Sequence, residues 1–217
     1  MKLLVLHWST KLNRHLSYQH GWVKAFSETN EFECEFVNTA DLGRFDVQRV
    51  WAAAKRADHV VILHSVFSNA KLIPALTHFI LGISNTPVTY FIGNEYKHMP
   101  EKMRFCKTIG CKLLVTQSFS KEAVNLYSNA LNCKVISIPG GGLDTSLFYP
   151  GDPTISRKID LGFRAFDEPF YFGHQERRDF MNHAQLECEK RGFNYDFSME
   201  TKDRFVGSDW ADFLRNC

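Results

Sequence analysis

The chain has 217 residues, 44% of them apolar and 23% charged, the composition of an ordinary globular protein of one large domain or one domain and part of another. Its net charge, 26 − 24 = +2, gives no electrostatic case for nucleic acid as a partner. No apolar run reaches the length of a membrane span, and Met1–Leu6 is too short and too soon polar for a signal peptide. The six cysteines show no C-x-x-C pair and no zinc spacing, so they read as free thiols of a cytoplasmic protein.

In chain order, Lys2–Trp8 reads as a strand apolar on both faces, as at the centre of a parallel sheet. The polar loop Ser9–Gln19 leads through His20-Gly21-Trp22 into a helix ending at Glu28. This first turn holds neither G-x-G-x-x-G nor the Gly-Lys-Ser/Thr of a phosphate-binding loop. His20 has a pKa suited to acid–base work, and a structural contact at the helix start explains it equally well. Strands follow at Glu33–Asn38, His59–Ser65 and Pro87–Ile92, with helices at Asp46–Arg56, Asn69–Ile83 and Met99–Ile109. The long apolar helix Asn69–Ile83 tolerates Pro74 in its first turns. Asn94 and Glu95 follow the strand Pro87–Ile92, at the sheet end where α/β proteins bind ligands. They either hydrogen-bond a polyhydroxyl acceptor or cap the next helix.

The stretch Cys111–Pro150 holds a complete strand–helix–strand unit. Leu113–Val115 is a buried strand, Ser118 or Ser120 caps a helix with Glu122 in its first turn, and Cys133–Ile138 is the next strand. Ile138-Pro139-Gly140-Gly141-Gly142 then runs into Leu143-Asp144-Thr145-Ser146-Leu147-Phe148-Tyr149-Pro150. This segment resembles the close of the first domain in two-Rossmann-domain (GT-B) glycosyltransferases of the group 1, family 4-like type. Their pattern there is roughly V-I-P-N-G-V-D-x-x-x-F-x-P. Ile138, Pro139, Gly141, Asp144, Phe148 and Pro150 stand in its places, and Gly140 replaces the family's Asn. The Asn94-Glu95-Tyr96 triplet is also similar to one the family carries.

The fold expected is therefore α/β: residues 1–150 a Rossmann-like parallel sheet with helices on both faces, 151–157 a linker, and 158–217 the partial start of a second Rossmann-like domain. In that second part, strands are expected at Lys158–Phe166 and Phe193–Met199 and helices at Gln175–Lys190 and Ser208–Arg215, with Ser208 as a cap. Arg177 and Arg178 fall in a first helical turn, where cations oppose the helix dipole unless an anion sits there. They point to a phosphate, or to pairing with Glu176 and Asp179. Trp210 and Phe213 resemble the segment preceding the family's donor-site glutamate; that glutamate has no counterpart before Cys217, so the donor site is expected to be incomplete in this chain.

The resemblance implies an enzyme that moves a sugar from a nucleotide-sugar donor to the hydroxyl of a carbohydrate, lipid or protein. It implies His20 as the acid–base candidate, Asn94 and Glu95 on the acceptor, and Arg164, Gly173 and Arg177 on the donor phosphates. No metal and no other cofactor is expected, and peripheral contact with a membrane is left open. The alternative is a non-catalytic α/β ligand-binding module.

Overall fold

The structure, a computed structural model, describes residues 1–10, 17–43, 46–67, 75–140, 144–165, 175–203 and 205–217. The chain divides into two compact units, Met1–Gly142 and Leu143–Cys217. The first is built on strands β1 (Lys2–His7), β2 (Glu33–Asn38), β3 (His59–Ile62), β4 (Val88–Phe91), β5 (Leu113–Thr116) and β6 (Lys134–Ser137). They form one parallel sheet in the order β2-β1-β3-β4-β5-β6. Between them run α1 (Ser17–Glu28), α2 (Val47–Arg56), α3 (Ala75–Ile83), α4 (Met99–Thr108) and α5 (Lys121–Leu131).

The continuous apolar strands reflect burial on both faces. Leu4, Leu6, Val60, Ile62, Tyr90 and Leu114 pack toward Val50, Ala53, Leu81, Phe105 and Tyr127 of α2 to α5. The alternate residues Leu3, Val5 and Val61 pack toward Trp22, Val23 and Phe26 of α1. Right-handed crossovers explain the division: β1 to β2 runs one way along the sheet and every later step runs the other, so α1 alone lands on its face.

Local chemistry settles several boundaries. Ser120, not Ser118, caps α5, its Oγ accepting from the Ala123 amide at 3.3 Å. The helix ends at Asn132, which takes the left-handed conformation at φ 50°. The cap position of α4 belongs to His98, without a side-chain cap bond, so neither Asn94 nor Glu95 caps that helix. The strand expected over His59–Ser65 stops at Ile62, and His64–Phe67 is a 3-10 turn. Of the expected helix Asn69–Ile83, the stretch 69–74 lies outside the described residues.

The second unit contains β7 (Leu161–Arg164), α6 (Gln175–Arg191), β8 (Tyr195–Ser198) and α7 (Ser208–Arg215), with β7 and β8 paired in parallel. The boundary lies earlier than Pro150. Arg215 donates from Nη1 to the Leu147 carbonyl at 3.1 Å and stacks on the Tyr149 ring at 4.5 Å, which anchors that stretch in the second unit. Ser208 is the first residue of α7 rather than its cap; Gly207 holds the cap position at φ 55°, a conformation glycine adopts without strain. At Gly162 an added Cβ would come within 2.6 Å of Phe213 Cζ, so only glycine lets α7 lie this close to β7. Among the described residues β7 and β8 each keep one unpaired edge, and Leu161, Phe180, Leu186 and Phe193 are exposed.

Candidate functional site

A wholly parallel sheet brings the carboxyl ends of its strands to one edge. In this strand order the connections part between β1 and β3, the place where open α/β sheets bind ligands. At the end of β1, His7 is half-buried and lies edge-on to Phe36 at 6.4 Å. Burial holds its pKa below the ordinary value, His20 lowers it further, and Asp41 opposes both. The charges of His20 and Asp41 thus both act on His7 at this end of the sheet. His20 itself lies inside α1, past its first residues. The loops here are tied down: Ser9 and Asn38 exchange two hydrogen bonds of 2.9 Å, and Trp8 donates its amide to Ser65 Oγ at 3.1 Å.

The end of β4 is a rigid polar turn. Asn94 is left-handed at φ 47°, and its carbonyl accepts from the Lys97 amide at 2.9 Å. Glu95 Oε1 accepts from Thr116 Oγ1 at 2.7 Å and from the Gln117 amide at 2.9 Å, while Oε2 accepts from the Tyr127 hydroxyl at 2.5 Å. Burial and the Glu95 carboxylate both raise the Tyr127 pKa. Beneath the turn, Lys102 is 1% exposed and donates from Nζ to the carbonyls of Gly93 at 2.5 Å and Asn94 at 2.8 Å. Its pKa is lowered to about 8 by burial, with Glu95 acting in the opposite sense. His64 is also buried, and burial followed by the Lys102 charge lowers its pKa to about 4. Gly93 is needed here, since a Cβ would sit 2.9 Å from His64 Cβ. Glu95 is therefore a clamp between β4, β5 and α5. The Asn94 side chain makes no hydrogen bond among the described residues.

At the ends of β5 and β6, Gly140 lies against Gln117, where a Cβ would fall 3.1 Å from Gln117 Cδ, and the Gly140 carbonyl accepts from Trp22 Nε1 at 3.4 Å. Gly141 and Gly142 lie outside the described residues. Trp22, His64, Gln117, Ile138 and Pro139 line a cavity of about 10 Å³, room for about one water, so this is a packed floor.

In the second unit, Arg164, the residue expected on a donor phosphate, is engaged by internal partners. Arg164 Nη2 donates to Asp196 Oδ1 at 2.6 Å, and Nη1 donates to the carbonyls of Asp196 and Phe163. Its guanidinium lies 5.0 Å from the Phe205 ring and 4.7 Å from the Phe213 ring. The side chain is 12% exposed, and an internal carboxylate already supplies the anion. Arg177, by contrast, is solvent-exposed in the first turn of α6, and Gly173 lies outside the described residues. Arg164→Ala is therefore expected to unfold the second unit more easily, by about 2–3 kcal/mol, through the lost partly buried ion pair and ring contacts. Thermal melts followed by Trp210 fluorescence check this, and an unchanged melt would return Arg164 to the surface charges.

Reading the sequence alone passes over His7, Asp41, His64 and Lys102. His7 and His64 each close an apolar run, Leu3–Leu6 and Val60–Leu63, at the point where a parallel strand delivers a side chain to the ligand edge. Lys102 carries no such signal, being one cation of an ordinary amphipathic helix. No group of three or more His, Cys, Asp or Glu among the described residues could hold a metal ion. No helix of the described residues is long and apolar enough to cross a membrane. Comparison with family models, with curated proteins and with solved structures gives no match for this chain.

Proposed function

We propose that the chain is a glycosyltransferase that moves a sugar from a nucleotide-sugar donor to a hydroxyl acceptor. The observation that carries this reading is the carboxyl edge of the parallel sheet. It bears His7 beside the switch point and the clamped Asn94 turn on β4, and it continues through Ile138-Pro139-Gly140, the stretch resembling GT-B enzymes. The Asn94 amide orients an acceptor hydroxyl, and His20 takes a proton through its imidazole. Arg177 and the backbone N–H groups that begin α6 stabilise charge on the departing diphosphate. No metal is required of these residues.

Calorimetry with UDP and GDP tests the donor half. Arg164 is spent on Asp196, so binding is expected to be weak, with a Kd of about 1 mM. Arg177→Ala is expected to weaken it roughly tenfold, and Arg178→Ala less, since it points one position round the helix. Absence of binding by either nucleotide, or equal affinity in the Arg177→Ala variant, overturns the donor assignment. The ligand-binding module then leads, a reading favoured by the commitment of both Glu95 and Arg164 to internal partners.

A further inference from the structure

The apolar segment before Ile83 has a role the nucleotide-sugar reading does not use. Helix α3, ALTHFILGI, holds two polar residues, Thr77 and His78. Thr77 is 1% exposed, and the His78 ring packs edge-on against Phe105 at 4.8 Å. Ser84, just past the helix, is also buried and bonds back to the Leu81 carbonyl. The large apolar side chains Phe79 and Ile83, one turn apart, stand 59% and 50% exposed. A helix on the outside of a water-facing layer turns its polar residues out and its apolar ones in. In α3 Leu81 does face the core, yet Thr77 is buried while Phe79 and Ile83 stand in solvent.

The stripe does not end at α3. Lys55 of α2 donates from Nζ to the Ser84 carbonyl at 2.9 Å, and Trp51, one turn before Lys55 on the same side of α2, is 43% exposed. On the other flank the backbones of α3 and α4 meet, since a Cβ on Gly82 would fall 2.5 Å from the Thr108 carbonyl oxygen. The rim is basic. Helices α2 to α4 expose Arg49, Lys55, Arg56, Arg104 and Lys107, and Glu101 is their only acid. Arg56 pairs with Glu35 and Arg104 with Glu101, and among the described residues Lys55 and Lys107 have no carboxylate partner. This local excess sits in a chain whose net charge is only +2.

We infer that the outer face of α2 to α4 docks on a membrane surface rich in anionic lipid. Phe79, Ile83 and Trp51 enter the headgroup–acyl boundary while Lys55 and Lys107 meet lipid phosphates. A second copy of the chain fits less well, because a two-fold contact through this face would set the same unneutralised cations against one another. A nucleic-acid backbone would engage the cations but leave the apolar stripe in water.

The test is co-sedimentation of the full chain with phosphatidylcholine vesicles, with and without phosphatidylglycerol. The chain is expected to pellet with the phosphatidylglycerol vesicles, to be released by salt, and to show quenching of Trp51 by brominated lipid that is lost in Trp51→Phe. Phe79→Ser with Ile83→Ser is expected to lower partitioning roughly tenfold or more, and Lys55→Glu with Lys107→Glu to do likewise. Phe79 and Ile83 are exposed and make no polar contact, so the circular dichroism melt of the Phe79→Ser, Ile83→Ser variant should match the wild type; Lys55→Glu also loses the bond to the Ser84 carbonyl, and its melt is measured alongside. Absence of pelleting overturns the inference. So does equal pelleting of the Phe79→Ser, Ile83→Ser variant, or a dimer in analytical ultracentrifugation that this variant dissolves, which would make a second copy the occupant.

Discussion

Replacement of Glu95 by alanine is expected to destabilise the first unit by about 3–4 kcal/mol, the largest effect of any single change at the candidate site. Three donors lose their acceptor at once: the Thr116 hydroxyl, the Gln117 amide and the Tyr127 hydroxyl, which come from β5, the turn after it and α5. Lys102, buried under the same turn, also loses the carboxylate that offsets the cost of its buried charge. Glu95→Gln keeps an oxygen for Thr116 and Gln117 and should cost less, about 1–2 kcal/mol. Urea unfolding followed by far-ultraviolet circular dichroism measures both. If Glu95→Ala unfolds at the wild-type midpoint, Glu95 is not a clamp, and its carboxylate returns to the acceptor-binding role beside Asn94.

The second large effect is a loss of stability on mild acidification, centred on His64. In the folded chain His64 stays neutral down to about pH 4, whereas its ordinary pKa is 6.5. Below pH 6.5 the unfolded chain therefore takes up a proton that the folded chain refuses, and stability falls as the pH falls. The full contribution is about 3 kcal/mol, present above pH 6.5 and gone below pH 4, and about 2 kcal/mol of it disappears by pH 5. His7 and His59, both lowered chiefly by burial, add in the same direction. Lys102 gives a second arm with the same slope: lowered from 10.5 to about 8, it makes the folded chain more stable as the pH rises between those values. Urea midpoints measured from pH 6.5 to 5, before most carboxylates titrate, should drop in the wild type and drop clearly less in His64→Met, where only His7 and His59 still contribute. Parallel slopes in the two proteins would show that His64 protonates without cost.

The parallel sheet could be read from the amino-acid order because its cause is local. Runs such as Leu3–Leu6, Val60–Leu63 and Leu113–Val115 lack in-and-out alternation, and each is separated from the next by a segment with helical spacing. The carboxyl edge, with His20 in its first helix and Asn94 after β4, follows from that alternation alone. The cap of α5 is narrowed by the sequence to Ser118 or Ser120, and the Ala123 amide selects Ser120; at Ser208 the φ of the neighbouring Gly207 decides instead.

What only the tertiary structure decided is which partner each charged or polar side chain finds. Asp196 is 32 residues from Arg164 and Tyr127 is 32 residues from Glu95, and no periodicity links positions so far apart. A guanidinium after a strand looks the same in sequence whether it faces a phosphate or an internal carboxylate between two phenylalanine rings. Burial makes the choice, because a desolvated charge must be paired and the nearest packed partner takes it. The same reason hides Lys102, whose neighbours in sequence predict a solvated face while the Gly93 and Asn94 carbonyls draw it inward. It also governs α3. Composition marks that helix as apolar, but the direction of Phe79 and Ile83 follows from Thr77, His78 and Leu81 packing inward, with the His78 ring against Phe105 of α4.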